Sequence, residues 1–261
     1  MNDPLPPSCQ DANELPAVPS SVWANMANVI ATPGDVFSEV KTSPASTANW
    51  LVPVLVSCLA AVIYVVVVFS QETILQQLRE ANAQKMQARV EQGQMSQQQA
   101  DQALEMAERF TGPVVIKIIG SVGAVFGSFI WLFFIALLVW LLGCKVFHGS
   151  FSYLKAVEVC ALAGMVGVIS AILTMLLVVA TGNIAATLGP GLLLKEPNPA
   201  LKAHAALYAI NLLTWWYIAY LGLGLSKLSG ASFWKSFLWL FVPYGIFKAA
   251  LLFLGIGQPG Q

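Results

Sequence analysis

Five stretches of this chain are each long and apolar enough to cross a lipid bilayer, which restricts its fold more than any other feature. A helix rises 1.5 Å per residue, so about 20 residues cross a hydrocarbon core of ~30 Å. The stretches are 50–69, 113–142, 156–180, 203–225 and 233–256. Hydrocarbon offers no water to pair with backbone N–H and C=O groups, so a spanning segment must satisfy its own backbone as a helix or in a closed barrel. The first stretch is rich in β-branched residues over 62–69, which disfavour a helix in water, and the membrane overrides that preference. The second exceeds the required length and is expected to tilt or project. The fold class is therefore all-α, a polytopic helical membrane bundle of five transmembrane helices. Only 10% of the residues are charged, against 57% hydrophobic. A soluble domain carries about a quarter charged residues. Thirteen basic residues balance thirteen acidic ones, so no net charge points to nucleic acid. The partner that composition demands is the lipid bilayer.

Around the spans the chain divides further. Residues 1–21 hold five prolines, three acids and no base, which reads as a disordered tail rather than a secretory signal. In 22–49, Val22, Trp23, Met26, Val29 and Ile30 recur at helical spacing. Thr32-Pro33 then starts a second helix with Val36, Phe37 and Val40 on one side. These are short helices suited to the membrane interface, or else a linker with scattered apolar residues. The only sizeable polar insertion is 71–110. Its eleven glutamines suggest disorder, but Ile74, Leu75 and Leu78 are periodic, and Ser96 and Gln99 make a capping box. The insertion therefore reads as an extramembrane αα-hairpin divided at Gly93, with Glu105 and Arg109 paired at i,i+4. Leu188 to Leu194, in the third connection, is apolar but broken by Gly189, Pro190 and Gly191. It is too short for a sixth span and suits the interface. Trp50, Trp140, Phe151, Tyr153, Phe233 and Trp234 sit near span ends, as interfacial aromatics do. Trp215, Trp216 and Tyr217 fall within the fourth stretch and are expected to pack between helices.

Catalytic chemistry is poorly represented. His148 and His204 belong to no H-E-x-x-H pattern, and the chain has no phosphate-binding glycine loop. Cys9, Cys58, Cys144 and Cys160 lack metal-type spacing and read as small hydrophobes. No cofactor or metal is implied. Three charges lie in or near the spans: Lys117, Glu158 and Lys248. Charges in hydrocarbon are costly and often functional. Lys117 and Lys248 fall on one side of the membrane and Glu158 on the other. The candidate partners of Glu158 are therefore Lys145, Lys155, Lys227 and Lys235. A lysine near a span end also reaches the interface by snorkelling.

Small residues cluster on three spans: Gly120, Gly123 and Gly127 on the second, Gly164 and Gly167 on the third, and Gly222 and Gly224 on the fourth. Such residues let helices approach closely. They are expected to pack helices within the bundle or, alternatively, to form a homo-oligomer face. Pro243, beside Tyr244 and Gly245, is expected to break the fifth span.

The layout resembles the Yip1-domain family, particularly its bacterial members. The residues that carry the resemblance are Thr32-Pro33-Gly34-Asp35-Val36-Phe37, Pro44, Pro53, the glycine-rich second span, the run from Trp215 to Gly224, and Ser232-Phe233-Trp234-Lys235-Ser236. It covers roughly 29–256. It implies a five-span membrane protein with a cytosolic N-terminus, whose eukaryotic relatives act in vesicle trafficking with Rab-type GTPases. The D-L-Y-G-P signature of those relatives is absent, Gly189-Pro190 being a fragment of it. No GTPase-binding, catalytic or ligand residue is carried over.

The expected function is a non-enzymatic membrane scaffold or protein-interaction protein in a bacterial inner membrane. Its partner would dock on the 71–110 hairpin or the membrane face. The alternative is a transporter or permease component for a small solute. A mid-membrane cavity lined by polar groups from several spans would favour transport, and a closed bundle the scaffold. Lysines in the short loops place the N-terminus in the cytoplasm and the C-terminus outside.

Overall fold

The computed structural model describes residues 21–194 and 202–254. The expected N-terminal tail, Cys9, Lys195 and the end of the fifth stretch lie outside them. Every regular element among the described residues is helical. Helices α1 (Val22–Ala31) and α2 (Pro33–Thr42) precede the first long helix, α3 (Ala48–Val68). The hairpin follows as α4 (Glu72–Glu91) and α5 (Gln97–Thr111). Then come α6 (Pro113–Leu141), α7 (Tyr153–Thr181), α8 (Lys202–Ala209), α9 (Leu212–Ser229) and α10 (Phe233–Phe253). Five helices are long and apolar enough to cross a membrane: α3, α6 with its terminal turn, α7, Ala206–Ser229 and α10.

Local chemistry explains the boundaries. The Ser21 side chain caps α1, and Pro33 opens α2 at a position where its missing N–H is no loss. Ser96 and Gln99 close a reciprocal capping box on α5. At Gly112-Pro113 the hairpin gives way to α6. The end of α6 widens into a π turn over Leu142–Val146.

Helix α7 is the centre of the bundle and packs against α3, α6 and α9. It is hydrophobic all round, the pattern of a helix with no solvent face, and it buries Ala156, Val157, Val159, Leu162 and Val166. Helices α1 and α2 pack on α7 and α9, with Val29, Phe37 and Val40 in the main core. The Tyr220 hydroxyl donates to Ile30 O at 2.8 Å and ties α9 to α1. Helix α10 packs on α9 and keeps only Ser236 buried.

Two expectations about broken helices are reversed. Pro243 does not break α10, which runs unbroken from Phe233 to Phe253. Pro243 is exposed, and α10 forgoes only the bond its missing N–H would have made to the Trp239 carbonyl. The broken segment is instead the fourth, at Ile210 and Asn211 between α8 and α9. Asn211 Oδ1 accepts from Leu213 N at 2.9 Å and caps α9, a role in which an Asn side chain competes with helix continuation. The Leu212 amide leaves the helical ladder and donates to Leu188 O at 3.0 Å. Gly189 lies against the Ile210 carbonyl, leaving no room for a Cβ. The apolar loop thus docks on the break through a short 3-10 turn, Pro190–Leu193.

Candidate functional site

A partly open cavity of about 400 Å³ lies between α3, α6, α7 and α9. Ligand cavities fall in the range of ≈ 300–1,000 Å³. Val54, Ser57 and Ala61 line it from α3, and Ser128 and Trp131 from α6. Helix α7 contributes Cys160, Gly164, Gly167 and Ser170, and the start of α9 contributes Asn211, Thr214 and Tyr217. The last three recur at i, i+3 and i+6, which places them on one face of α9. Among the described residues, no charged side chain lines the cavity. Between Cys160 and Ala171 it spans ~16 Å of helix, near half the hydrocarbon thickness.

Its polar atoms are held in a definite pattern. Ser57 Oγ donates to Pro53 O at 3.0 Å, Ser128 Oγ to Ala124 O at 2.7 Å, and Ser170 Oγ to Val166 O at 2.8 Å. Each serine proton is thereby engaged by its own helix, while the oxygen lone pairs remain. The Trp131 indole lies beside the Tyr217 hydroxyl, and Thr214 beside the Tyr244 hydroxyl of α10. Helices α6 and α9 do not pack along their lengths, and Trp131 and Tyr217 line the cavity from these two helices. Sequence reasoning did not single out this set. The serines look like ordinary helix residues, and only Asn211, a capping residue inside an apolar run, signalled the break.

The singled-out charges are placed apart. Glu158 is fully buried near the start of α7, and its carboxylate accepts from Lys155 Nζ at 2.7 Å. Of the four candidate lysines, Lys155 is the partner. The second carboxylate oxygen accepts from the Ser46 amide in the α2–α3 connection. The pair thus latches α7 to the turn that leads into the first span. Lys117 is half-buried one turn into α6. Lys248 is exposed on α10, with Nζ 6.0 Å from the Tyr244 ring centroid, and borders a smaller groove between α8 and α10. None of the three reaches the cavity. His148 lies in the loop before α7 with φ 55°, and His204 lies in α8. No cluster of three or more metal-ligating side chains occurs among the described residues. Cys58, Cys144 and Cys160 are free thiols.

The glycines divide sharply. A Cβ on Gly120 would meet Val65 of α3 at 2.9 Å. Gly123 and Gly127 meet nothing within 4 Å, so the close contact expected of them inside the bundle is not made. Their stripe is exposed, because α6 turns its other face to α3 and α7. Gly164 is 3.8 Å from Ser57 Oγ, and Gly167 opens onto the cavity with nothing within 4 Å. Besides Gly120, the span glycines in close approach are on α9: Gly222 against Phe237 of α10, and Gly224 against Val159 of α7.

The hairpin is fixed at its base. Gln77 uses both ends of its carboxamide: Nε2 donates to Gly182 O at 2.5 Å, and Oε1 accepts from Ile184 N at 3.2 Å. Beside this clamp, Val68, Ile74, Val178 and Ala186 form a second small apolar core. Beyond its base the hairpin is mostly exposed and polar, and Arg109 pairs with Glu105 at 2.9 Å.

Among known proteins, the model of the Yip1 domain family matches residues 27–255. No curated protein and no solved structure matches the chain.

Proposed function

The chain belongs to the Yip1 domain family of membrane proteins, and on that premise we propose that it is a non-enzymatic scaffold that recruits a protein partner through its hairpin. One observation carries this reading. A polar helix pair of α4 and α5 stands outside the apolar spans and is held at its base by the two-point Gln77 clamp. A docking element gains from such fixing, since less conformational entropy is lost when a partner binds. The proposed setting is a bacterial inner membrane, with the N-terminus in the cytoplasm and the hairpin outside.

The test is photocrosslinking in native membranes from benzophenone side chains at Gln84 and Gln98, with Ile130 on the apolar face of α6 as control. Discrete protein adducts from the hairpin positions support the scaffold. Adducts absent there overturn it.

The cavity favours a second reading, passage of a small solute. Against it, the lining carries no charge, and three serine protons are engaged by their own helices. Lys248, Glu158 and Lys117 stand outside the cavity and would supply no relay through it. If Lys248→Leu inserted normally and abolished a solute flux, the scaffold would yield to the transporter.

A further inference from the structure

We propose that the cavity between α3, α6, α7 and α9 binds the apolar chain of a neutral lipid that ends in a hydroxyl group. Its size sets the scale. At ~30 Å³ for a water-sized group, 400 Å³ accommodates roughly a dozen such groups, a length of chain rather than a small ion. Most of its wall is aliphatic: Val54, Ala60, Ala61, Leu132, Ala161 and Ala171.

The polar atoms specify the head group. Ser57, Ser128 and Ser170 have given their protons to backbone carbonyls and present lone pairs. Tyr217 brings a phenol hydroxyl, able to donate and to accept, to the cavity wall beside Trp131. The Asn211 carboxamide spends its oxygen on the α9 cap and retains its N–H groups. A hydroxyl, which both donates and accepts, fits both sets. A carboxylate or an ammonium does not, because no countercharge lines the cavity and an ionised group in an apolar site loses its hydration uncompensated.

Access comes from the bilayer. Helices α6 and α9 do not pack along their lengths, and Trp131, which lines the cavity from α6, is 55% exposed. Its side chain stands at a lateral entrance.

The experiment uses the full chain in lipid nanodiscs and a diazirine-bearing long-chain alkanol, with the alkanoic acid of equal length as comparison. Saturable labelling of cavity residues by the alkanol, at least about five-fold above the acid, is expected; a single neutral hydrogen bond is worth a factor of that order. Gly167→Leu directs its side chain into the cavity from a position where an added Cβ meets nothing within 4 Å, and should remove the labelling while the protein melts no earlier. Tyr217→Phe keeps the shape and should lower alkanol labelling several-fold without altering labelling by the matching alkane. Equal labelling by acid and alkanol, undiminished labelling of Gly167→Leu, or labelling competed away by a short water-soluble alcohol alone would each overturn the proposal. A hairpin that captures no partner would leave it standing.

Discussion

Replacing Glu158 by Ala should be among the most damaging single changes in this protein. The carboxylate has no exposed surface, and its partner Lys155 retains only 8% of its own. They meet at 2.7 Å, and the other carboxylate oxygen takes the Ser46 amide. Loss of the acid leaves an ammonium buried without its counterion and a backbone N–H without its acceptor. Breaking a buried pair from one side costs about 3–5 kcal/mol. At about 2–4 °C per kcal/mol for chains of this size, the melting temperature should fall by on the order of 10 °C. The assay is thermal unfolding of purified Glu158→Ala and Glu158→Gln in mild detergent. The double variant Lys155→Met with Glu158→Leu separates charge from packing. It removes both charges together and should recover most of the loss, because a buried pair replaced by apolar groups is often close to neutral. Two results would refute the reasoning. One is a single variant that melts within ~2 °C of the parent. The other is a double variant as unstable as Glu158→Ala, which would show that shape at this site matters and charge does not.

Gly224→Ala puts a Cβ onto Val159 and should cost about 1–3 kcal/mol by overpacking, whereas Gly123→Leu and Gly127→Leu should change stability by no more than about 0.5 kcal/mol, all read by melting in detergent. Gln77→Ala removes two neutral hydrogen bonds at the hairpin base, each worth about 1 kcal/mol. Amide exchange in α4 should then quicken by roughly 30-fold, measured by hydrogen–deuterium exchange, while exchange in α7 stays unchanged. Single cysteines at Gln94, Ser150 and Gln261, in a chain without its native four, test the orientation with an impermeant thiol reagent on intact cells. Gln94 and Gln261 should label and Ser150 should not. Ser150 is the position to use in its loop, because a Cβ on neighbouring Gly149 would meet Ser229 Cα at 2.8 Å.

Much of the fold was legible because its signals are local. A span announces itself by length and apolarity, so the five appear where expected, the ends shifting by a few residues as caps such as Ser152 act. Ser96 with Gln99 and Pro33 mark helix starts through bonds made within one turn. The errors arise where the deciding contact is distant. Pro243 carries a breaking signal, yet α10 continues through it, giving up only the bond from residue 243 to the Trp239 carbonyl. Asn211 carries a weaker one, yet it breaks its segment because Leu188 and Gly189 arrive from another part of the chain to take up its backbone.

The same distinction separates the glycines and the cavity. Spacing alone put Gly123 and Gly127 among the packing candidates, whereas Gly120, Gly222 and Gly224 make the contacts. Which face of a helix meets a neighbour depends on the rotation of that helix about its axis. In a span hydrophobic on all sides, no polar stripe fixes that rotation in the sequence. A cavity compounds the problem, since it forms where four such rotations leave small side chains facing one another. Ser57, Ser128, Gly167 and Ser170 are unremarkable on their own helices and form a site only when α3, α6 and α7 bring them together. Glu158 was readable to the extent that it had to find a cation on its own side of the membrane. Four lysines met that condition, and the choice fell on Lys155 because i,i+3 on one helix is the separation at which a buried carboxylate meets a lysine without either leaving α7.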